Sequence, residues 1–177
     1  MSKWIIDSDH SGAAFSVLHM MIANVRGQFC KVGGTVYFDP QNVADSSIEL
    51  SIDASSIFTG IQKRDDHLKS ADFFEVDKYP VISFTSTRIL SVNGNKAQVS
   101  GDLTIHGITR QITVSVEFSG PVDDPFGDGS SMGFAVAAVI NREDYGIMWN
   151  QPMANNGIMV SREVQLLIDL EADLVAE

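Results

Sequence analysis

Cysteine is almost absent from this chain, since Cys30 is the only one. A lone thiol cannot close an intrachain disulfide, and it cannot supply the several thiolates of a structural zinc site. Basic residues are also scarce, with 12 Lys and Arg against 23 Asp and Glu and a formal net charge of −11. Such a surface repels nucleic acid and anionic headgroups, so we expect neither as a partner.

Long apolar runs are missing as well. No window approaches the roughly 18 apolar residues of a membrane-spanning helix, so we predict no transmembrane segment. Residues 1–7 contain no long apolar run and no small-residue cleavage site, which predicts a cytoplasmic protein, or a periplasmic one if a leader has been removed. The 177 residues contain no linker and no repeat, and they predict one domain over residues 1–177.

Catalytic motifs are lacking too. Residues 129–133 fit the G-x-S-x-G pattern, but a loop precedes them and a predicted strand follows, whereas a nucleophile elbow needs a strand and then a helix. The chain has no glycine-rich phosphate loop and no dinucleotide fingerprint. We therefore predict a protein that is not an enzyme and that uses no cofactor.

Alternating apolar and polar residues dominate the rest of the chain. Apolar residues at every second position, with the polar residues between them facing solvent, are typical of antiparallel sheet. Tight turns are predicted at Asn93-Gly94 and at His106-Gly107, and further turns at Gly33-Gly34 and in a loop at residues 123–129. Arg142 and Asp144 are predicted to lie in a turn and to make side-chain capping bonds. The predicted fold class is therefore all-β, an eight-stranded antiparallel barrel with a short helix over one end. The predicted strands cover residues 12–20, 27–38, 48–52, 81–90, 99–105, 112–118, 132–140 and 164–170.

The inward-facing positions of this barrel mix large and small side chains. At eight strands a barrel interior is either filled or holds one small ligand, and the residues leave both alternatives open. Small residues such as Gly101 and Ala138 indicate a pocket, unless large side chains pack across from them in a solid core. The predicted lining consists of Phe15, Val17, His19, Phe84, Val99, Gly101, Leu103, Phe118, Phe134 and Ala138.

Residues 60–74 are the one segment that is predicted to be helical. Arg64, Asp65 and His67 lie within four residues of one another, and Phe73 and Phe74 follow, so we expect a charged gate over an apolar mouth. One interpretation is an Arg64–Asp65 ion pair that anchors the helix to the barrel. The other is that Arg64 or His67 meets a phosphate or carbonyl headgroup.

Four histidines raise the question of a metal site. Zinc needs three or four converging ligands, usually with close spacing between pairs, and here no two histidines lie within four residues. We therefore predict no metal. His19 shares its strand face with Phe15 and Val17, so its imidazole is expected to bond a ligand headgroup or a neighbouring hydroxyl.

Several motifs follow one another along nearly the whole chain. They are Asp7-Ser8-Asp9-His10-Ser11, Phe15-Ser16-Val17-Leu18-His19, Gly27-Gln28-Phe29, Ser56-Ile57-Phe58-Thr59, Arg64-Asp65-Asp66-His67-Leu68 with Phe73-Phe74, Tyr79-Pro80-Val81-Ile82-Ser83-Phe84, residues 101–109 and residues 141–147. Taken in this order, they resemble the YceI-like family. The resemblance implies a lipocalin-like barrel that sequesters a long apolar lipid, a polyisoprenoid or an isoprenoid-quinone in type. It also assigns residues 149–157 to one barrel rim, and we add Trp149 to the mouth.

These observations favour a non-enzymatic protein that binds, stores or transports such a lipid, with an isoprenoid lipid as its expected ligand. The alternative is a small-molecule enzyme that uses His19 or the Arg64, Asp65 and His67 group in the same pocket. A third possibility is a solid-cored structural protein without a ligand. The oligomeric state stays open, with a homodimer as one alternative.

Overall fold

The computed structural model of the protein describes residues 1–125 and 129–175, so part of the loop expected at residues 123–129 lies outside the described residues. Within them the chain forms a series of strands and one short α-helix. The strands are β1 Ser2–His19, β2 Ala23–Phe29, β3 Val32–Phe38, β4 Ser47–Asp53, β5 Ile57–Phe58, β6 Val81–Asn93, β7 Lys96–Ile105, β8 Ile108–Asp123, β9 Ser130–Asn141 and β10 Val160–Leu174, and the helix is α1 Gln62–Lys69.

The strands form one antiparallel sheet that closes on itself. Neighbouring strands follow the order β10-β9-β8-β7-β6-β4-β3-β1, and β10 pairs with β1 to complete the ring. The short strands β2 and β5 do not add positions to this ring. Strands β2 and β3 both pair with β1 and act as two halves of one broken strand, and β5 continues β4 in the same way. The prediction of an eight-stranded antiparallel barrel with a short helix is therefore confirmed.

The barrel closes between β1 and β10 through an irregular stretch of β1. The pairing register shifts between Asp7 and Gly12. The Asp7 carboxylate accepts hydrogen bonds from the backbone N–H of Asp9 at 2.8 Å and interacts with the His10 ring at 2.6 Å. The Ser11 hydroxyl accepts from the Glu171 N–H at 3.0 Å and so replaces a missing ladder bond. The Asp-Ser-Asp-His-Ser signature thus builds the β-bulge at which the barrel closes.

The end of the barrel away from α1, here called the far end, is filled by aromatic rings. Phe38 meets Phe118 at a ring-centroid distance of 5.0 Å and Phe134 at 5.7 Å, both edge to face. Phe38 and Phe134 are buried, and Phe118 packs against them. These rings exclude water from this end.

Helix α1 lies over the opposite end, within the segment predicted to be helical. Asp65 is buried, and its Oδ1 accepts from the Thr59 N–H at 2.9 Å and from the Thr59 hydroxyl at 2.5 Å. Arg64 donates to the Thr59 hydroxyl at 2.7 Å and to the Thr59 carbonyl at 2.8 Å. Among the described residues Arg64 and Asp65 form no ion pair. The prediction of an ion pair is therefore wrong, and the two side chains instead hold the helix by binding Thr59.

None of the helices in the described part of the chain has the length and apolar character needed to cross a bilayer.

Candidate functional site

An almost wholly apolar cavity of about 140 Å³ lies beneath α1. Its walls come from the neighbouring strands β1, β2 and β10, from β4, β6 and β7, and from the end of β9 with the residues that follow it. Leu68 of α1 and the following Phe73 and Phe74 cover it. The lining comprises Ala13, Ala14, Phe15, Val17, Phe29, Ile52, Leu68, Phe73, Phe74, Ile82, Leu103, Ile105, Ile140, Arg142, Tyr145, Ile147, Val160, Val164, Leu166 and Ile168.

Two smaller apolar cavities continue the first one towards the far end. The middle cavity, of about 40 Å³, has five side chains of its wall in common with the first. The third, of about 50 Å³, has Ile48 and Val116 in common with the middle cavity and ends at the far-end phenylalanines. The three therefore form a row through the barrel. The side chains between the first two are Ile52, Ile82, Leu103, Leu166 and Ile168.

Most of the predicted lining residues lie along this row. The remaining two, Gly101 and His19, are not among the residues that line any of the three cavities. The lining residues are Phe15, Val17 and Leu103 at the first cavity, Phe84, Ala138 and again Leu103 at the middle cavity, and Val99, Phe118 and Phe134 at the third.

Gly101 shows that the barrel interior is solid in some parts and open in others. A Cβ at this position would lie 2.4 Å from Cζ of Phe84, so the Phe84 ring occupies the space that the glycine leaves. Phe15 covers Gly27 in the same way, at 2.5 Å. Large-on-small packing thus fills part of the interior. The expectation that Gly101 opens the pocket was wrong, whereas Ala138 borders the middle cavity.

The mouth residues expected near the helix form a compact aromatic group. The His67 ring meets Phe73 at 5.1 Å and Trp149 at 5.0 Å, both edge to face, and Phe73 lies 5.3 Å from Trp149. His67 also hydrogen-bonds Asp72 at 2.8 Å. Phe74 packs edge-on against Phe29 inside the barrel at 5.4 Å. These contacts join the helix segment to the segment that begins at Trp149.

The groups of the enzymatic alternative do not converge in the cavity. His19 is half-buried at the end of β1, outside the cavity lining. Arg64 and Asp65 are bonded to Thr59, and the His67 imidazole is bonded to Asp72. None of these four residues lines the cavity beneath α1.

Arg142, which was predicted to be a turn residue, is a buried cation that lines the cavity. Its guanidinium donates to four main-chain carbonyls: Ile147 at 2.7 Å, Trp149 and Ser161 at 2.9 Å, and Val160 at 3.2 Å. Burial lowers the pKa of Arg142 because it disfavours the charged form. No carboxylate among the described residues forms an ion pair with it. Its partners are backbone groups up to 19 residues away, which composition does not reveal.

Tyr145 is the second polar side chain of this cavity. It is 1% exposed, and its hydroxyl has no hydrogen-bond partner among the described residues. Burial raises the pKa of the Tyr145 phenol, so the hydroxyl remains protonated and can donate. A buried hydroxyl without a partner is costly to the fold, and the cavity wall is where a ligand could satisfy it. The helix-capping Gly146, in the left-handed region at φ 73°, ends the 3₁₀ helix Arg142–Tyr145 that positions both side chains.

A further group of possible metal ligands lies outside the barrel. One ligand atom each from Asp7, His10 and Glu171 lies within 4.8 Å of the others. The hydrogen bond between Asp7 and His10 lowers the pKa of Asp7 and raises the pKa of His10. That bond already serves the β1 bulge, and His10 is exposed. This group has no connection to the cavity.

The chain is similar to known proteins over most of its length. The family model of the YceI-like domain matches residues 4–172 of this chain. UPF0312 protein SA2479 of Staphylococcus aureus (strain N315) is 38% identical over 165 residues, which cover 93% of this chain and 94% of that protein.

Solved structures show the same architecture. BcnA of Burkholderia cenocepacia superposes with a TM-score of 0.82 at 26% identity, covering 94% of this chain and 98% of that one. A polyisoprenoid-binding domain from Saccharophagus degradans, implicated in plant cell wall breakdown, has a TM-score of 0.72 at 17% identity, covering 99% and 100%. The family match and the barrel agree with each other, and the chain belongs to the YceI-like family.

Proposed function

We propose that this protein binds a long apolar lipid inside its barrel and stores or carries it without changing it. The observation that carries the proposal is the row of three apolar cavities from the α1 end to the far-end phenylalanines. An elongated, narrow and almost wholly apolar row suits a long flexible chain better than a compact ligand. A polyisoprenoid or the tail of an isoprenoid-quinone has this shape.

The tail requires more room than the cavities offer at present. Pockets that hold drug-sized ligands measure about 300–1,000 Å³, and these cavities are each much smaller. Uptake therefore requires the leucine and isoleucine side chains between the cavities to change rotamer. Each CH₂ group that leaves water contributes roughly 0.8 kcal/mol, so a tail of several isoprene units can offset that cost.

The polar end of the ligand would lie against Tyr145 and Arg142. The Tyr145 hydroxyl is a buried donor without a partner among the described residues, and Arg142 lines the same cavity. A carbonyl, hydroxyl or phosphate oxygen would accept from the phenol and gain from the nearby positive charge. This assignment replaces Arg64 and His67 as the headgroup contacts, because their donors are bonded to Thr59 and Asp72.

A non-enzymatic role is supported by the make-up of the cavity wall. Besides Arg142 and Tyr145, the first cavity is lined by aliphatic and phenylalanine side chains, without a carboxylate, imidazole or thiol. Acid–base or nucleophilic catalysis most often uses such a group, and the Tyr145 phenol, whose pKa is raised by burial, is a poor base and nucleophile. The lining thus favours release of the same molecule that was bound.

Mass spectrometry of an organic extract of the purified protein tests the proposal. Ala138→Phe should fill the middle cavity and shorten or abolish the co-purifying lipid, because Ala138 borders that cavity. Ala137→Phe is the matched control, since Ala137 is exposed on the outer face of β9. An extract without an apolar lipid, or one equally altered by both variants, would contradict the proposal. A lipid that is released in chemically altered form would favour the enzymatic alternative.

A further inference from the structure

The chain carries 23 carboxylates, and its three longest stretches without one are residues 10–38, 78–101 and 145–162. Residues 78–101 lie mostly on β6 and β7. Of the other two stretches, 10–38 contains the hairpin of β1 and β2, and 145–162 contains the segment at the mouth that Arg142 holds. The Met20 N–H donates to the Met159 carbonyl at 2.7 Å, so the two stretches meet at the turn of the hairpin.

That turn, residues 20–22, is apolar and projects from the protein. Ile22 is 80% exposed, Met21 50% and Met20 38%. Phe58 and Ile61, on β5 and at the start of α1, are further large apolar side chains exposed on segments that border the mouth. Soluble proteins rarely cluster such side chains at an exposed turn without a partner for them.

The backbone conformation of the turn is also unusual. Met20 and Met21 both have positive φ, at 52° and 62°. This left-handed region is sterically unfavourable for side chains other than glycine, asparagine and aspartate, and turns of this kind are normally built from those residues. Two methionines therefore occupy positions at which the fold alone favours Asn and Gly. Strain of this kind is characteristic of functional positions.

Basic side chains flank the turn. Arg26 is exposed on β2, opposite Ser16 of β1, and forms no ion pair with any described residue. Arg162, at the start of β10, is paired with Glu143 at 3.1 Å. Because neither stretch at the mouth carries a carboxylate, the local repulsion of anions is reduced at this face despite the net charge of −11, and Arg26 adds a local attraction for them.

We infer that residues 20–22 dock the cavity mouth onto an anionic lipid bilayer, an inference that rests on the proposed lipid-binding function. The three apolar side chains insert at the level of the headgroups, and Arg26 contacts the lipid phosphates. The carboxylate-rich remainder of the barrel is repelled by the same surface, which orients the mouth towards it. A bound lipid then passes between cavity and bilayer without crossing water.

Vesicle sedimentation tests the inference with the whole protein. Wild type should bind phosphatidylcholine vesicles that contain roughly 30% phosphatidylglycerol and bind pure phosphatidylcholine about fivefold or more weakly, the scale of one basic residue at an anionic surface. The double variant Met21→Asp with Ile22→Asp should lose tenfold or more in binding. The matched control is Val139→Asp with Leu167→Asp, two apolar residues exposed by 60% and 57% on the barrel wall. Arg26→Glu should weaken binding, and Arg88→Glu, also exposed, should not.

Three results would overturn the inference. The first is the absence of wild-type binding to anionic vesicles. The second is an equal loss in the turn variant and in the barrel-wall control. The third is a turn variant that converts a dimer to a monomer in light scattering, which would make residues 20–22 an interface between two copies of this chain. Binding of a fluorescent prenol in solution separates this inference from the proposed function: the turn variant should retain it, and a wild type that lacks it contradicts the carrier proposal alone.

Discussion

The two ends of the barrel are closed in different ways. At the far end the rings of Phe38, Phe118 and Phe134 meet directly. At the α1 end Asp65 and Arg142, the two charged side chains that are buried among the described residues, bind backbone groups of the segments that cover the cavity. An apolar plug can open only by exposing its rings to water. The cover at the α1 end also buries Phe73, but the hydrogen bonds that hold it can be exchanged for bonds to water at a small net cost.

This difference indicates which end admits a ligand. The covering segments 59–74 and 147–160 contact each other through His67, Phe73 and Trp149 rather than through a sheet ladder. Helix α1 has eight residues and is too short to be stable without docking. The α1 end is therefore expected to open locally while the rest of the barrel stays folded.

The far end should respond most strongly to mutation. Phe134→Ala should lower the free energy of unfolding by about 3–5 kcal/mol, because it removes a buried ring that packs against Phe38. Urea denaturation followed by far-UV circular dichroism measures this loss. Phe58→Ala, at a 55% exposed position, is the control and should cost far less. Similar losses in the two variants would mean that the far-end rings are not a packed plug.

Removing the buried cation at the α1 end should have the next largest effect. Arg142→Met keeps much of the side-chain volume but removes the guanidinium donor from the carbonyls of Ile147, Trp149 and Ser161. The Val160 carbonyl also loses its bond to Arg142 but keeps the one from the Asn150 amide at 2.8 Å. We expect a loss of about 2–4 kcal/mol in the free energy of unfolding. Arg142→Lys should recover only part of it, since one ammonium cannot reach four diverging carbonyls. Full recovery of the free energy of unfolding by lysine would show that the positive charge, and not the planar guanidinium, holds the segment that follows Arg142.

Asp65 should matter less and more locally. Asp65→Ala removes both bonds to Thr59 and should cost about 1–3 kcal/mol. Asp66→Ala is the neighbouring control, since Asp66 is exposed and bonds only Gln62 within the described hydrogen bonds. Hydrogen exchange should accelerate over residues 59–74 in Asp65→Ala and stay unchanged at β8 and β9. Acceleration throughout the barrel would mean that the helix is part of the global folding unit.

The sequence predicted the barrel well because alternation is a local property. Each strand shows which of its faces is apolar, so the strand count and the inward positions of Phe15, Leu103 and Phe134 follow from period two. Contacts that depend on register do not follow. That Phe84 fills the space above Gly101 depends on the alignment of β6 with β7, which no single strand encodes.

The polar residues were harder to predict for a related reason. Arg142 and Asp65 bind the backbone, and every residue type offers the same backbone groups to a donor or an acceptor. Arg142 therefore resembled a turn residue, and Arg64 and Asp65 resembled a pair because they are neighbours in sequence. No feature of the sequence marked Tyr145 as a site residue, because only the folded structure shows that its hydroxyl lacks a hydrogen-bond partner among the described residues.

The smallest effect on stability is expected at Tyr145, and it is the most informative about function. Tyr145→Phe removes a buried hydroxyl that has no partner within the described residues, and it leaves the ring in place. The free energy of unfolding of the ligand-free protein should stay within about 1 kcal/mol of wild type, or rise, because an unsatisfied buried donor is lost.

Ligand binding should respond in the opposite direction. If the Tyr145 hydroxyl donates to the polar end of the lipid, Tyr145→Phe should weaken binding of a prenol or a quinone by about 0.5–1.5 kcal/mol, the scale of one hydrogen bond. A hydrocarbon tail of equal length without a polar end should bind both proteins alike. Tyr79→Phe, whose ring packs on His106 outside the cavity lining, is the control for loss of a phenol. A variant that is destabilised without ligand would assign the hydroxyl to the fold. It would leave the α1 end of the cavity with Arg142 as its one polar contact for the lipid.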